Sequence, residues 1–294
     1  MNDQASTLRT MTSTESTVTL MNRGAQNSKQ RRCIAISGGK GGVGKSNLSV
    51  NLALELGSLG NQVGLLDADF GLANADLLCG VSPKFHLGHV VAGLKELDQV
   101  TIALSENVQL IPGGSGIEEL ANFSIASRPH IFAQVRAMEE NLNFMLIDTA
   151  AGIAENVSSI LASATEIIVV VTPDPTSIID AYATIKVILR RSPSKPISVV
   201  INNVVGVGDA EQVFQSINAA VRGFLNHQVD FLGMIPFDFQ VQEAIREQVP
   251  VVHYAPNAPA SRAIRLIAKQ LHTQNRQASN SSKVQSFWDA LAKS

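Results

Sequence analysis

The segment Cys33-Ile-Ala-Ile-Ser-Gly-Gly-Lys-Gly-Gly-Val-Gly-Lys-Ser46 places a glycine-rich loop directly after a strand-like apolar run and before a helical stretch. A phosphate-cradling P-loop needs that order. Gly39, Gly41, Gly42 and Gly44, with Val43 between them, let backbone N–H groups close around phosphate oxygens. Lys45 reaches the β and γ phosphates of a nucleoside triphosphate, and Ser46 at the helix N-terminus can hold magnesium. Lys40 is a second lysine inside the loop, where an ordinary P-loop requires no charge. It cannot easily curl onto its own nucleotide, but in a face-to-face dimer it can reach the partner's phosphates and neutralise transition-state charge.

Two further segments supply carboxylates. In Leu65-Leu-Asp-Ala-Asp-Phe-Gly-Leu-Ala-Asn74 an apolar run ends on Asp67 and Asp69. Asp69 is expected to polarise and orient the attacking water, and Asp67 to support the magnesium shell or, alternatively, to cap the following turn. In Phe144-Met-Leu-Ile-Asp-Thr-Ala-Ala-Gly152 four apolar residues precede Asp148, the Walker B pattern, so Asp148 is expected to reach magnesium through water. Gly152 can offer its N–H to the γ phosphate, making both loops sensors of that phosphate.

Such groups need a rigid frame, and the sequence supplies one. From Arg32 onward, short Ile, Val and Leu runs alternate with longer amphipathic stretches, the pattern of βαβ units around a parallel sheet. Strands are expected at 33–37, 63–67, 108–111, 144–148, 167–172, 197–201 and 231–235, with helices at 47–59, 129–141, 176–190, 210–225 and 259–272. The predicted fold is α/β, doubly wound, with a mostly parallel sheet covered by helices on both faces. It occupies residues 31–272, behind a tail at 1–30 and ahead of a tether and short amphipathic helix at 273–294.

Composition agrees, with 45% hydrophobic and only 16% charged residues in 294. The net charge of −2 argues against bulk binding of nucleic acid. Cys33 and Cys79 lack a CxxC spacing and read as buried thiols in a reducing cytoplasm. No apolar run approaches the ~20 residues needed to span a bilayer, and the first thirty residues lack the apolar core of a secretory signal. A cytoplasmic protein is expected.

These three motifs, in this order, resemble those of the deviant Walker A ATPases, the family that includes MinD and ParA. The resemblance covers roughly residues 31–272. It implies ATP and Mg2+ as cofactors, Lys40 as the signature lysine, Asp69 as the water-activating carboxylate, and a homodimer that forms with ATP and dissociates after hydrolysis. It also implies that Asn202, in Val-Val-Ile-Asn-Asn, reads the adenine, and that Pro236, in Ile-Pro-Phe-Asp, packs against the base. Without the resemblance, an Asn after a strand is an ordinary turn former. Asp67 to Asp76 and Asp148 to Ile153 look most like the flagellar number regulators of the FlhG or FleN group. Ala150 is a small departure, since many relatives have Gly or Pro there.

The two ends carry the remaining expectations. Asp3, Gln4, Ala5, Leu8 and Arg9 are similar to the Asp-Gln-Ala-x-x-Leu-Arg element with which that group docks on FlhF, an SRP-type GTPase, and stimulates its hydrolysis. An ordinary frayed terminus is the plain alternative. Flagellar switch-complex proteins and the transcription activator FleQ are further partner candidates. Val284, Phe287, Trp288 and Leu291 follow i, i+3, i+4, i+7 spacing and form one apolar stripe. They suit either weak peripheral binding to the inner face of the membrane, strengthened by dimer avidity, or packing back onto the domain. Division-site control of the MinD type and DNA partitioning of the ParA type are the competing functions; the latter would need a basic surface, and Arg190, Arg191 and Lys195, a modest cluster, read as a solvated helix end. An iron–sulfur carrier of the same fold is disfavoured by the positions of the two cysteines.

Overall fold

The computed structural model describes residues 31–71, 74–114, 129–277 and 286–291. Its strands are β1 (Arg32–Ser37), β2 (Val63–Ala68), β3 (Ile102–Ser105), β4 (Val108–Ile111), β5 (Phe144–Thr149), β6 (Glu166–Val171), β7 (Ile197–Val204) and β8 (Asp230–Pro236). They form one sheet in the order β3-β4-β2-β5-β1-β6-β7-β8. Every neighbouring pair is parallel except β3 with β4. The principal helices are α1 (Lys45–Ser58), α2 (Pro129–Glu140), α3 (Glu155–Ser163), α4 (Pro175–Arg191), α5 (Val207–Leu225), α6 (Phe239–Arg246), α7 (Pro259–Gln277) and α8 (Phe287–Leu291), with short turns at Ala75–Leu78, Leu87–Val91, Leu97–Val100 and Val251–Tyr254. This is the doubly wound α/β sandwich that the sequence predicts.

The central strands are continuous apolar runs because both faces of the sheet are covered. Successive side chains of β1 divide between two cores: Ile34 and Ile36 meet Leu48, Leu52 and Leu56 of α1, while Cys33 and Ala35 join the opposite face with residues of α2 to α5 and α8. Helix α1 is buried along nearly its whole length. It lies between the sheet and α7, to which Glu55 is tied by Arg265 at 3.0 Å. Because the strands run in parallel, the loops after β1, β2, β5, β7 and β8 open at the same edge of the sheet, where ligands of such folds collect.

Two features differ from the sequence expectation, and a third decides between two alternatives. Strand β3 is absent from the expected set: it is four residues long, alternates half-buried and exposed positions, and pairs with β4 alone among the described residues. Helix α7 continues to Gln277, so residues 273–277 are helix and not tether. Arg32 donates to the carbonyl of Leu271 at 2.7 Å and to Gln274 at 3.3 Å, which holds this last stretch against the start of β1. At the chain's end, Phe287, Trp288 and Leu291 are buried at 0%, 2% and 8% exposure, within the core face formed by α2 and α3. Glu139 accepts the Phe287 N–H at 2.9 Å and the Ser286 hydroxyl, and so fastens the start of α8. Phe287, Trp288 and Leu291 therefore take the packed alternative and do not face a membrane in this conformation. Val284 and the N-terminal element at Asp3, Gln4, Ala5, Leu8 and Arg9 lie outside the described residues. Among the described residues, no helix is long and apolar enough to cross a membrane.

Candidate nucleotide site

The loop after β1 is built for close approaches. Gly42 and Gly44 have φ of 78° and 96°, which residues with a side chain rarely adopt. A Cβ on Gly39 would overlap the backbone of Asp180 in α4, so this glycine is required by the helix behind the loop. A Cβ on Gly41 would meet nothing among the described residues, and Val43 is buried beneath. Gly44 is the N-cap of α1 and provides no side-chain cap, so the first N–H groups of that 14-residue helix are left for an anion.

Behind the loop stand the carboxylates. Asp67 on β2 and Asp148 on β5 are direct register partners, both 1% exposed. Ser49 donates to Asp148 Oδ1 at 3.1 Å, while Oδ2 is buried and has no hydrogen-bond partner among the described residues. Burial pushes the Asp148 carboxyl up to about 6, against the pull of the Ser46 and Ser49 hydroxyls and the Lys45 ammonium. Burial also lowers the Lys45 ammonium, opposed by Asp148 and then Asp69. Ser46, Lys45 and Asp69 are thus close enough to Asp148 to act on its charge, as the motifs require. The orphaned Asp148 oxygen beside Ser46 is the donor set a hard divalent cation such as magnesium fits.

Asp67 does something more local. It accepts N–H groups from Asp69 at 3.2 Å and from Asn74 and Ala75 at 3.0 Å each, so its carboxylate shapes the loop that carries Asp69. The capping alternative is thus realised, next to Asp148. Burial and the neighbouring Asp148 charge push Asp67 up to about 7 despite those three donors.

Gly152, at φ 90°, donates its N–H to the carbonyl of Gly38 at 3.2 Å, so the group expected to meet a γ phosphate is bonded to the P-loop here. Asn202 donates from Nδ2 to the carbonyl of Val43 at 2.8 Å. Asn202 and Pro236 both line a cavity of about 240 Å³ with Gly44, Asn47, Leu48 and Phe237, beside the P-loop. Lys40 does not extend away from its own chain: its Nζ pairs with Asp174 and donates to Thr176 Oγ1 at 2.8 Å. Asp174 caps α4 by accepting the Thr176 N–H at 2.9 Å. Lys40, that N–H and the Thr176 hydroxyl hold the Asp174 carboxyl down at about 2.

Asp174, Thr176 and Ser49 are site residues that the motif reading missed. The first two were legible as a helix start, because Asp-Pro-Thr after a strand is an N-cap followed by proline at the first helical position. That this cap lies under Lys40 is a property of the fold.

Residues 29–272 match the family described as ParA, NUBPL iron-transfer P-loop NTPase. The chain belongs to the ParA/MinD family of P-loop ATPases. It is 37% identical to the antiactivator FleN of Pseudomonas aeruginosa over 81% of this chain and 85% of that protein. To the flagellum site-determining protein YlxH of Helicobacter pylori it is 33% identical over 91% of this chain and 90% of the other. Among solved structures, MinD of Pyrococcus horikoshii complexed with Mg-ADP superposes with a TM-score of 0.67 at 26% identity, covering 83% of this chain and 97% of that one. In this ParA/MinD ATPase, Cys33 is sealed within β1 and Cys79 follows the turn after Asp67, and neither shares a CxxC spacing with the other.

Proposed function

We propose that the chain is an ATP- and magnesium-dependent dimerisation switch that regulates the number and placement of flagella. The observation that carries the reading is Lys40, a second P-loop lysine at the loop surface, which would exchange its pair with Asp174 and Thr176 of its own α4 for another chain's phosphate. The similarity to FleN and YlxH over most of the chain supports the flagellar assignment. Asp148 and Ser46 would hold the magnesium, which neutralises charge on the β and γ phosphates when bound. Lys45 binds the same phosphates, Asp69 orients the attacking water, and Gly152 exchanges its bond to Gly38 for one to the γ phosphate. Hydrolysis removes that phosphate, both loops relax, and the dimer parts.

The N-terminal element gives the switch an output: Asp3, Gln4, Ala5, Leu8 and Arg9 dock on the SRP-type GTPase FlhF and stimulate it. Switch-complex proteins and FleQ are the further partners of this reading. The GTPase assay tests it directly. A Met1–Arg9 peptide should raise GTP turnover and a Gln4→Ala peptide should not; equal turnover with both peptides and with none would sink the FlhF arm.

DNA partitioning is less well supported because its basic cluster is already engaged. Arg191 pairs with Glu155 at 2.5 Å, and the Lys195 ammonium donates to the carbonyls of Ala162 and Ala164 at the end of α3. That leaves Arg190 alone at this helix end for phosphate contact.

A further inference from the structure

We propose that Asn202 is a positioning residue for the phosphate cradle: it sets the orientation of the peptide between Val43 and Gly44. The inference rests on the P-loop being a phosphate site. The bond from Nδ2 to the Val43 carbonyl, at 2.8 Å, joins the end of β7 to the loop 159 positions earlier in the chain. In a trans peptide the carbonyl and the following N–H lie in one plane and point in opposite directions. Holding the Val43 carbonyl toward β7 therefore turns the Gly44 N–H the other way, toward the concave side of the loop. A flipped peptide would present an oxygen to the phosphates in place of a donor.

The surroundings are arranged for this contact. The β7–β8 ladder shifts register between Asn202 and Val204, and Asn203 takes up a left-handed conformation with φ of 64°. The shift falls after Asn202, which keeps the strand's alternation: it lies on the Val200 face, toward Val43 and α1, whereas Val204 beyond the shift joins the opposite core. On the loop, a Cβ at Gly44 would overlap the Asn202 amide nitrogen, so Gly44 is required by this approach as well as by its φ of 96°. Gly44 also has no side-chain cap of its own, and the Asn202 bond takes the place of a local restraint on the start of α1. Because Asn202 also lines the base cavity, one side chain borders both halves of a nucleotide.

A residue that only reads a base and a residue that shapes the cradle differ on a ligand with phosphates and no base. Inorganic tripolyphosphate with magnesium is that ligand, titrated calorimetrically into the full chain beside Mg-ATP, with melting curves to establish that each variant is folded. Asn202→Ala should weaken tripolyphosphate about tenfold, the loss of one oriented hydrogen bond, and ATP by at least as much. Unchanged tripolyphosphate affinity, with ATP weakened or not, would overturn the proposal. If wild type binds neither ligand, the P-loop reading itself fails, which is a distinct outcome. Should Asn202→Ala not fold, the wild-type side-chain amide resonance of Asn202 decides: tripolyphosphate should move it, and a stationary signal at saturating tripolyphosphate would refute the role.

Discussion

Lys40 and Asp174 form an ion pair that bridges the P-loop to the first turn of α4 within one chain, with Thr176 as the second acceptor. A lysine that must reach a partner's phosphate has to leave this pair first. In the proposed switch the pair therefore favours the single chain over the dimer. Asp174→Asn removes the charge while leaving an acceptor for the Thr176 N–H, so the α4 cap survives. Sedimentation velocity with a non-hydrolysable ATP analogue should show dimer appearing at lower protein concentration than in wild type. Lys40→Ala should show none at any concentration. An Asp174→Asn protein that dimerises more weakly would instead mean that the carboxylate holds Lys40 in its productive place.

The ligand-free protein should lose stability as pH rises. Asp67 and Asp148 are pushed up to about 7 and about 6 in the folded state, whereas both titrate near 3.8 when exposed. Between those values the folded chain binds more protons than the unfolded one, so the stability they confer is complete below about 4 and lost as pH rises to 7. Melting temperature should fall from pH 5 to pH 8 without magnesium. Asp148→Asn should flatten that slope and raise the melting temperature at pH 8. A wild-type curve that rises over this interval would show that the pair is already compensated in the free protein.

The glycines of the P-loop should not be equivalent. Gly39→Ala drives a methyl group into the Asp180 backbone, which cannot move without α4, whereas Gly41→Ala meets open space. Thermal melting should separate them: a clear loss for Gly39→Ala and little change for Gly41→Ala. Equal melting temperatures would mean that α4 yields to the loop.

Much of this site was readable beforehand because its motifs bind phosphate with backbone and with residues at strand ends. Lys45, Ser46, Asp69 and Asp148 converge because β1, β2 and β5 are parallel neighbours, and the apolar runs that make them so are plain in the sequence. What could not be read is contact between distant elements. Neither the Asn202 bond to Val43, nor the Asp174 bond to Lys40, nor the bond from Gly152 to Gly38 leaves a trace in spacing. Asp67 shows the same limit, since the residue type suits both a metal shell and a loop cap, and only the three backbone donors decide what it does in this conformation. Strand β3 escaped notice because an edge strand of four residues needs little apolar pattern.

The end of the chain provides the last test. Trp288, the single tryptophan in the sequence, is 2% exposed, and its ring meets Phe287 edge-on at 5.0 Å. Removing so large a buried side chain costs about 3–5 kcal/mol, so Trp288→Ala should lower the denaturation midpoint of the whole domain if α8 stays docked. Glu139→Gln keeps the shape but weakens the acceptor for Ser286 and Phe287, and should loosen α8 with a smaller loss. Intrinsic fluorescence then reports where the ring resides. In the free protein emission should be that of a buried indole. If ATP frees the helix for a lipid surface, anionic vesicles should change the emission only when ATP is present and more readily in Glu139→Gln. An emission unmoved by ATP and vesicles in both proteins would make α8 a permanent part of the core face formed by α2 and α3.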